Sequence, residues 1–169
     1  MRRVALTAVL LSGALFASHA SAAPTPQVTD PKGDYPVAGA DIVSLTLSTV
    51  KKKTLVIALE LAGPASPATP IPYAYQINFM AGSCDWRVNY FGANDEVSGG
   101  CRGDNSSAPS GVKINGNTLT FSVPTKGAFK LGTKITAFAI YSAPGGVLSG
   151  SGPGAAGDTA TGDATYVVK

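Results

Sequence analysis

The chain has 169 residues, 13 Lys plus Arg against 10 Asp plus Glu, 44% hydrophobic positions and only 14% charged ones. That suffices for one domain with a buried core, is short for two of ordinary size, and is too apolar for a disordered chain. The one histidine, His19, falls in a removable leader, which excludes Ser-His-Asp triads, Cys-His pairs and histidine metal ligands from the rest of the chain.

The leader is residues 1–22. Met1-Arg2-Arg3 is a positive start, Val4 to Phe16 is an apolar run, and Ala20-Ser21-Ala22 is a small-x-small cleavage site. The run falls short of the roughly 20 residues that span a bilayer, so a secreted or periplasmic chain with no membrane span after cleavage is expected. With Arg2 and Arg3 gone the balance is close to neutral. The one basic run, Lys51-Lys52-Lys53, has no aromatic residues interleaved and reads as a solvated turn, so nucleic acid is not an expected partner. Cys84 and Cys101 are the only cysteines, and in an exported chain they are expected to form one disulfide.

Residues 23–40 are rich in Pro, Gly and Asp and read as an irregular lead-in to a single domain over 41–169. Alternation then sets in, the mark of strands with one buried face. Over Asp41 to Ser48, Val43, Leu45 and Leu47 share a side; over Thr54 to Leu61, Leu55, Ile57, Leu59 and Leu61 do. Gly63 to Pro72 is a proline-rich loop. Tyr73, Tyr75, Ile77 and Phe79 alternate with polar or small residues, and so do Cys84, Trp86, Val88 and Tyr90. Glu96 to Cys101 forms a strand that brings Cys101 back to Cys84. Asn115-Gly116-Asn117 joins two short strands, because Asn and Gly tolerate positive φ. Lys134 to Tyr141 is read with Ile135, Ala137, Ala139 and Tyr141 on one side. Gly145 to Gly162 reads as a mobile loop, and Ala164 to Val168 as a last strand. Eight or nine such strands without a 3.6-residue period predict an all-β antiparallel sandwich with a jelly-roll or immunoglobulin-like path.

Three groups of side chains are candidates for chemistry. Asp30, Asp34 and Asp41 lie before the first long strand, and Asp158 and Asp163 before the last; if those strands are neighbours, the five carboxylates share a calcium site. The alternative is turn capping by Asp34 and Asp41, with the other carboxylates solvated. Asp85, Arg87 and Asn89 form an outward polar trio, set against a plain exposed sheet face. Among the aromatics, Trp86 shares its face with Cys84 and Val88 and reads as core rather than as a sugar platform. Arg102-Gly103-Asp104 spells an adhesion tripeptide, which three residues match readily by chance. Glu60, on an outer strand face, and Glu96, in a turn, are the only glutamates, and nothing sets them across a cleft, so catalysis is not expected.

Asp30-Pro31-Lys32-Gly33-Asp34, then Ala40-Asp41-Ile42-Val43-Ser44-Leu45 leading into two apolar strands, resembles the opening of DOMON-like domains and family 9 carbohydrate-binding modules. The similarity covers the first third of the chain after the leader, with a looser match over Asp158 to Val168. It implies a secreted β-sandwich with calcium near the chain ends, held by Asp30, Asp34 and Asp41. DOMON domains that bind haem do so through Met and His, so haem is not expected here. The reading is a non-catalytic binding module for glycans or a small ligand; the alternative is a structural or protein-interaction domain of the cell envelope or extracellular space.

Overall fold

A computed structural model describes residues 24–51, 53–65, 73–102, 109–125, 129–144 and 157–169. The leader, the proline-rich residues 66–72, Gly103-Asp104 of the adhesion tripeptide and residues 145–156 lie outside the described residues. The chain is an all-β sandwich of two antiparallel sheets. Its strands are β1 (Val28–Thr29), β2 (Ile42–Val50), β3 (Thr54–Leu61), β4 (Tyr73–Ala81), β5 (Cys84–Phe91), β6 (Glu96–Cys101), β7 (Gly111–Asn115), β8 (Thr118–Pro124), β9 (Lys134–Pro144), β10 (Thr159–Gly162) and β11 (Tyr166–Val167). One sheet runs β1-β2-β3-β8-β7 and the other β10-β9-β4-β5-β6, with β11 also on β9. Among the described residues no helix is long and apolar enough to cross a membrane.

Alternation in sequence becomes the core directly. Leu55, Ile57, Leu59 and Leu61 of β3 meet Tyr75, Ile77 and Phe79 of β4 and Trp86, Val88 and Tyr90 of β5, and all are buried. Trp86 is 2% exposed, its ring parallel to Phe79 at 6.2 Å and tilted against Phe129 at 4.6 Å. Cys84 and Cys101 are joined, Cα to Cα 5.7 Å over a sequence separation of 17, and pack against this cluster. Closing such a loop stabilises by about 3 kcal/mol through the unfolded chain. The β7–β8 turn has Gly116 at φ 59 and pairs Asn115 with Thr118, a two-residue connection in which glycine takes the left-handed position. Lys51 and Lys53 are exposed in the β2–β3 connection.

The structure departs from simple alternation at two bulges. In β2, pairing shifts between Ile42 and Ser44 against β3, so Val43 is the extra residue. Ile42 is buried with Leu45 and Leu47, and Val43 is only partly covered. In β9, Asn78 pairs Ala139 but Met80 pairs Thr136, and Ala137 has φ 52. That bulge flips the alternation: Ile135, Phe138 and Ile140 face the core, whereas Ala137, Ala139 and Tyr141 do not. The segment 23–40 holds a strand, β1, and the end of the Gly145–Gly162 segment is a strand, β10. Both are too short for a periodicity to announce them. They bring the strands among the described residues to 11.

These short strands seal one side of the sandwich. β1 lies against β10 across the gap between the sheets. The Thr49 and Tyr166 hydroxyls, 2.6 Å apart, tie β2 to β11. The first and last parts of the described domain therefore meet along one flank, while β6 and β7 form the far edges of their sheets.

Candidate metal centre

At that flank the acidic segments converge. Asp30 continues the β1 ladder, its N–H donating to Val43 O at 2.9 Å. The chain then turns through Pro31 to Gly33, and Gly33 N–H donates to Asp41 Oδ2 at 2.7 Å, which brings Asp34 beside Asp30. Asp41 is 1% exposed, held by its own N–H on Val37 O just ahead of the β2 bulge. Asp158 arrives from the other sheet. Its N–H donates to Ser142 Oγ and Ser142 N–H to its carbonyl, both at 3.0 Å, while the Ser142 hydroxyl donates to Ala40 O. The Asp158 carboxylate accepts Thr159 N–H at 2.7 Å and, from 116 residues away, Ile42 N–H at 2.6 Å. One side chain thus staples the start of β10 to the start of β2.

Oxygens of Asp30, Asp34 and Asp158 all lie within 4.8 Å of one another. Oxygen ligands at 2.3–2.6 Å from a calcium ion are at most about 5 Å apart, so one ion spans this set. Two further observations describe the electrostatics of the cluster. Asp30 Oδ2 and Asp41 Oδ1 are buried with no hydrogen-bond partner, a state that costs on the order of 1–3 kcal/mol per group. The only ion pair among the described residues, Arg102–Asp85 at 3.3 Å, lies at the β5–β6 end of the larger sheet, away from the β10 edge beside Asp158, so no cation is paired with the cluster among them. Burial, and then the charges of Asp158, Asp34 and Asp41, push the Asp30 carboxyl up to about 6. Burial first, and then Asp34 and Asp158, also raise Asp41 against the lowering effect of the Gly33 N–H.

A pH dependence follows. A carboxyl whose folded pKa is raised binds its proton more tightly folded than unfolded, so its contribution to stability falls as pH rises from about 4 to about 6. In chelator, the unfolding midpoint is expected to be several degrees higher at pH 5 than at pH 7.5, and Asp30→Asn should flatten that difference. A midpoint that climbs with pH in wild type and variant alike contradicts this electrostatic account.

Of the five carboxylates expected to share a site, the structure brings Asp30, Asp34 and Asp158 together and sets Asp41 against them. Asp163 is not among them: it sits exposed past the end of β10, because the chain turns away there toward β11. The sequence reading missed Ser142, the buried hydroxyl that positions Asp158; a serine after Tyr141 in an otherwise apolar strand is a weak signal. Asp85, Arg87 and Asn89 lie on the outer face of β5, Asp85 paired with Arg102 and Asn89 Nδ2 3.5 Å from Ser98 Oγ. Glu60 and Glu96 belong to different sheets, and Glu60 accepts the Ser44 hydroxyl at 3.0 Å. Comparison of the chain with known protein families, curated proteins and solved structures finds no match.

Proposed function

We propose that this chain is a secreted, non-catalytic binding module whose two ends are tied by a calcium ion on Asp30, Asp34, Asp41 and Asp158. The observation that carries the reading is the carboxylate trio within 4.8 Å together with the buried, unpartnered oxygens of Asp30 and Asp41. An all-oxygen donor set suits a hard cation, and irregular backbone ahead of a strand is where such sites form. Two backbone N–H groups hold the Asp158 carboxylate, and a third holds Asp41, which favours a structural ion over proton transfer. With the ion at this flank, the broad faces of the sheets are left for ligand, and glycans or a small polar ligand fit the module reading.

Thermal unfolding with calcium and with chelator tests this. At about 100 times its dissociation constant, an ion that binds only the folded state adds about 2.7 kcal/mol, on the order of a 10 °C rise in midpoint. Asp34→Asn, at an exposed position, should abolish the rise while lifting the chelator midpoint slightly, since it relieves like-charge repulsion. Equal midpoints in calcium and chelator for the wild type would sink the proposal.

A further inference from the structure

The outer face of the larger sheet carries a patch of polar side chains that the fold does not use. Gln76 and Asn78 of β4 point away from the core. Asn89 of β5 is opposite Gln76 and Arg87 is opposite Asn78. On the other side of β4, Tyr141 of β9 is opposite Gln76. Neighbouring strands run about 4.8 Å apart, so these five side chains form one continuous surface. Gln76 is 8% exposed, yet it has no hydrogen-bond partner among the described residues, and neither do Asn78, Arg87 or Tyr141. Buried polar groups are ordinarily satisfied, yet on this face the Oδ1 atoms of Asn78 and Asn89 are buried with no hydrogen-bond partner, which marks a place where another molecule completes the bonding.

The patch offers acceptors and donors together. Asn78 Oδ1 and Asn89 Oδ1 are acceptors without a partner, and the Arg87 guanidinium supplies donors beside them. Among the described residues Arg87 has no carboxylate partner, the Asp85 that neighbours it being paired with Arg102. Gly100, opposite Arg87 on β6, has no side chain to cover the guanidinium. Tyr141 and Phe91 present partly exposed rings on the same face. The smaller sheet's outer face differs: its central row is Thr46, Ala58 and Thr120, and its Ser44 and Glu60 are bonded to each other.

We infer that this face binds an acidic oligosaccharide, a uronic acid carboxylate meeting Arg87 while ring hydroxyls meet Gln76, Asn78 and Asn89. Amides match hydroxyls because each offers both donor and acceptor. The guanidinium fork matches a carboxylate in two parallel bonds. The apolar faces of a pyranose ring pack on Tyr141 or Phe91. A nucleic acid would demand a track of cations along its phosphates, and the patch has one. The inference rests on the binding-module reading and adds to it the ligand class and the face.

Calorimetry and ¹H–¹⁵N spectra of the purified chain with oligogalacturonate, oligomannuronate and neutral cello-oligosaccharide test it. At least one uronate oligomer should bind at least tenfold more tightly than the neutral one and shift the side-chain amide signals of Gln76, Asn78 and Asn89. Arg87→Gln should weaken that binding at least tenfold with the unfolding midpoint unchanged, and Arg87→Lys should recover only part of it. Failure of both uronates to bind at millimolar concentration overturns the inference, as does binding that Arg87→Gln leaves intact. Running each titration in calcium and in chelator separates the two claims. A calcium response without uronate binding removes only the inference; uronate binding at this face without a calcium response removes only the ion.

Discussion

Trp86→Ala is expected to cost about 3–5 kcal/mol, a fall in unfolding midpoint of roughly 10–15 °C, without moving ligand affinity at the outer face. The indole lies between the sheets, 2% exposed, parallel to Phe79 and in closest ring contact with Phe129. Its removal leaves a cavity walled by aromatic rings and the disulfide, and rings held from several strands collapse poorly into such a space. The cost therefore falls near the upper end for large-to-small changes. Trp86 is the only tryptophan, so its fluorescence reports one site. Acrylamide should quench it weakly in the native wild type and strongly only on unfolding. A variant that melts within 3 °C of wild type would place the ring outside the core and reopen the sugar-platform reading of this side chain.

The same alternation that located Trp86 made most of the sandwich legible. Leu55 to Leu61 and Tyr73 to Phe79 carry period-two apolar patterns long enough to fix strand, face and register together. Legibility failed where the backbone, rather than the side chains, sets the geometry. At Val43 and Ala137 an extra residue shifts the face, and nothing in Ile-Val-Ser or Thr-Ala-Phe announces it, because bulges answer to pairing with another strand. β1 and β10 are only two and four residues long. Their order comes from docking onto β2 and β9, a non-local effect that a window of sequence does not contain.

The acidic site was legible as a conditional. Asp30, Asp34 and Asp158 come together because the first and last segments share a flank, which topology decides and composition does not. Asp41 and Asp158 show why residue type alone is insufficient. Both were candidate ligands, but each also holds backbone, Asp41 the Gly33 turn and Asp158 the start of β2. Asp163 has the same chemistry and lies only five positions beyond Asp158 in sequence, yet the chain direction after Gly162 carries it away. The polar trio on β5 was half the patch seen in the structure. Gln76, Asn78 and Tyr141 complete it only once β4 is known to run between β5 and β9.

Gly157→Ala should be as damaging as Trp86→Ala, through backbone instead of packing. A Cβ built at Gly157 would lie 1.6 Å from Ser142 O and 2.6 Å from Ser142 C, with the Ala143 Cα at 3.1 Å. All three atoms belong to the backbone of β9, so no rotamer change relieves the clash, and residues 157 and 158 must lift away. Lifting breaks the paired 3.0 Å hydrogen bonds between Asp158 and Ser142 and withdraws the Asp158 carboxylate from Ile42 N–H. Steric strain together with stranded buried polar groups is expected to cost about 3 kcal/mol or more. The proposed ion site should fail with it, because Asp158 is the one carboxylate of the cluster that comes from the C-terminal segment. Comparison with Asp34→Asn isolates the two effects. Asp34→Asn removes the calcium response and leaves the chelator midpoint at or above wild type; Gly157→Ala removes the response and lowers the chelator midpoint by roughly 10 °C. If Gly157→Ala keeps a full calcium response, Asp158 does not depend on the Ser142 anchor, and the ion does not draw on the C-terminal segment through β9.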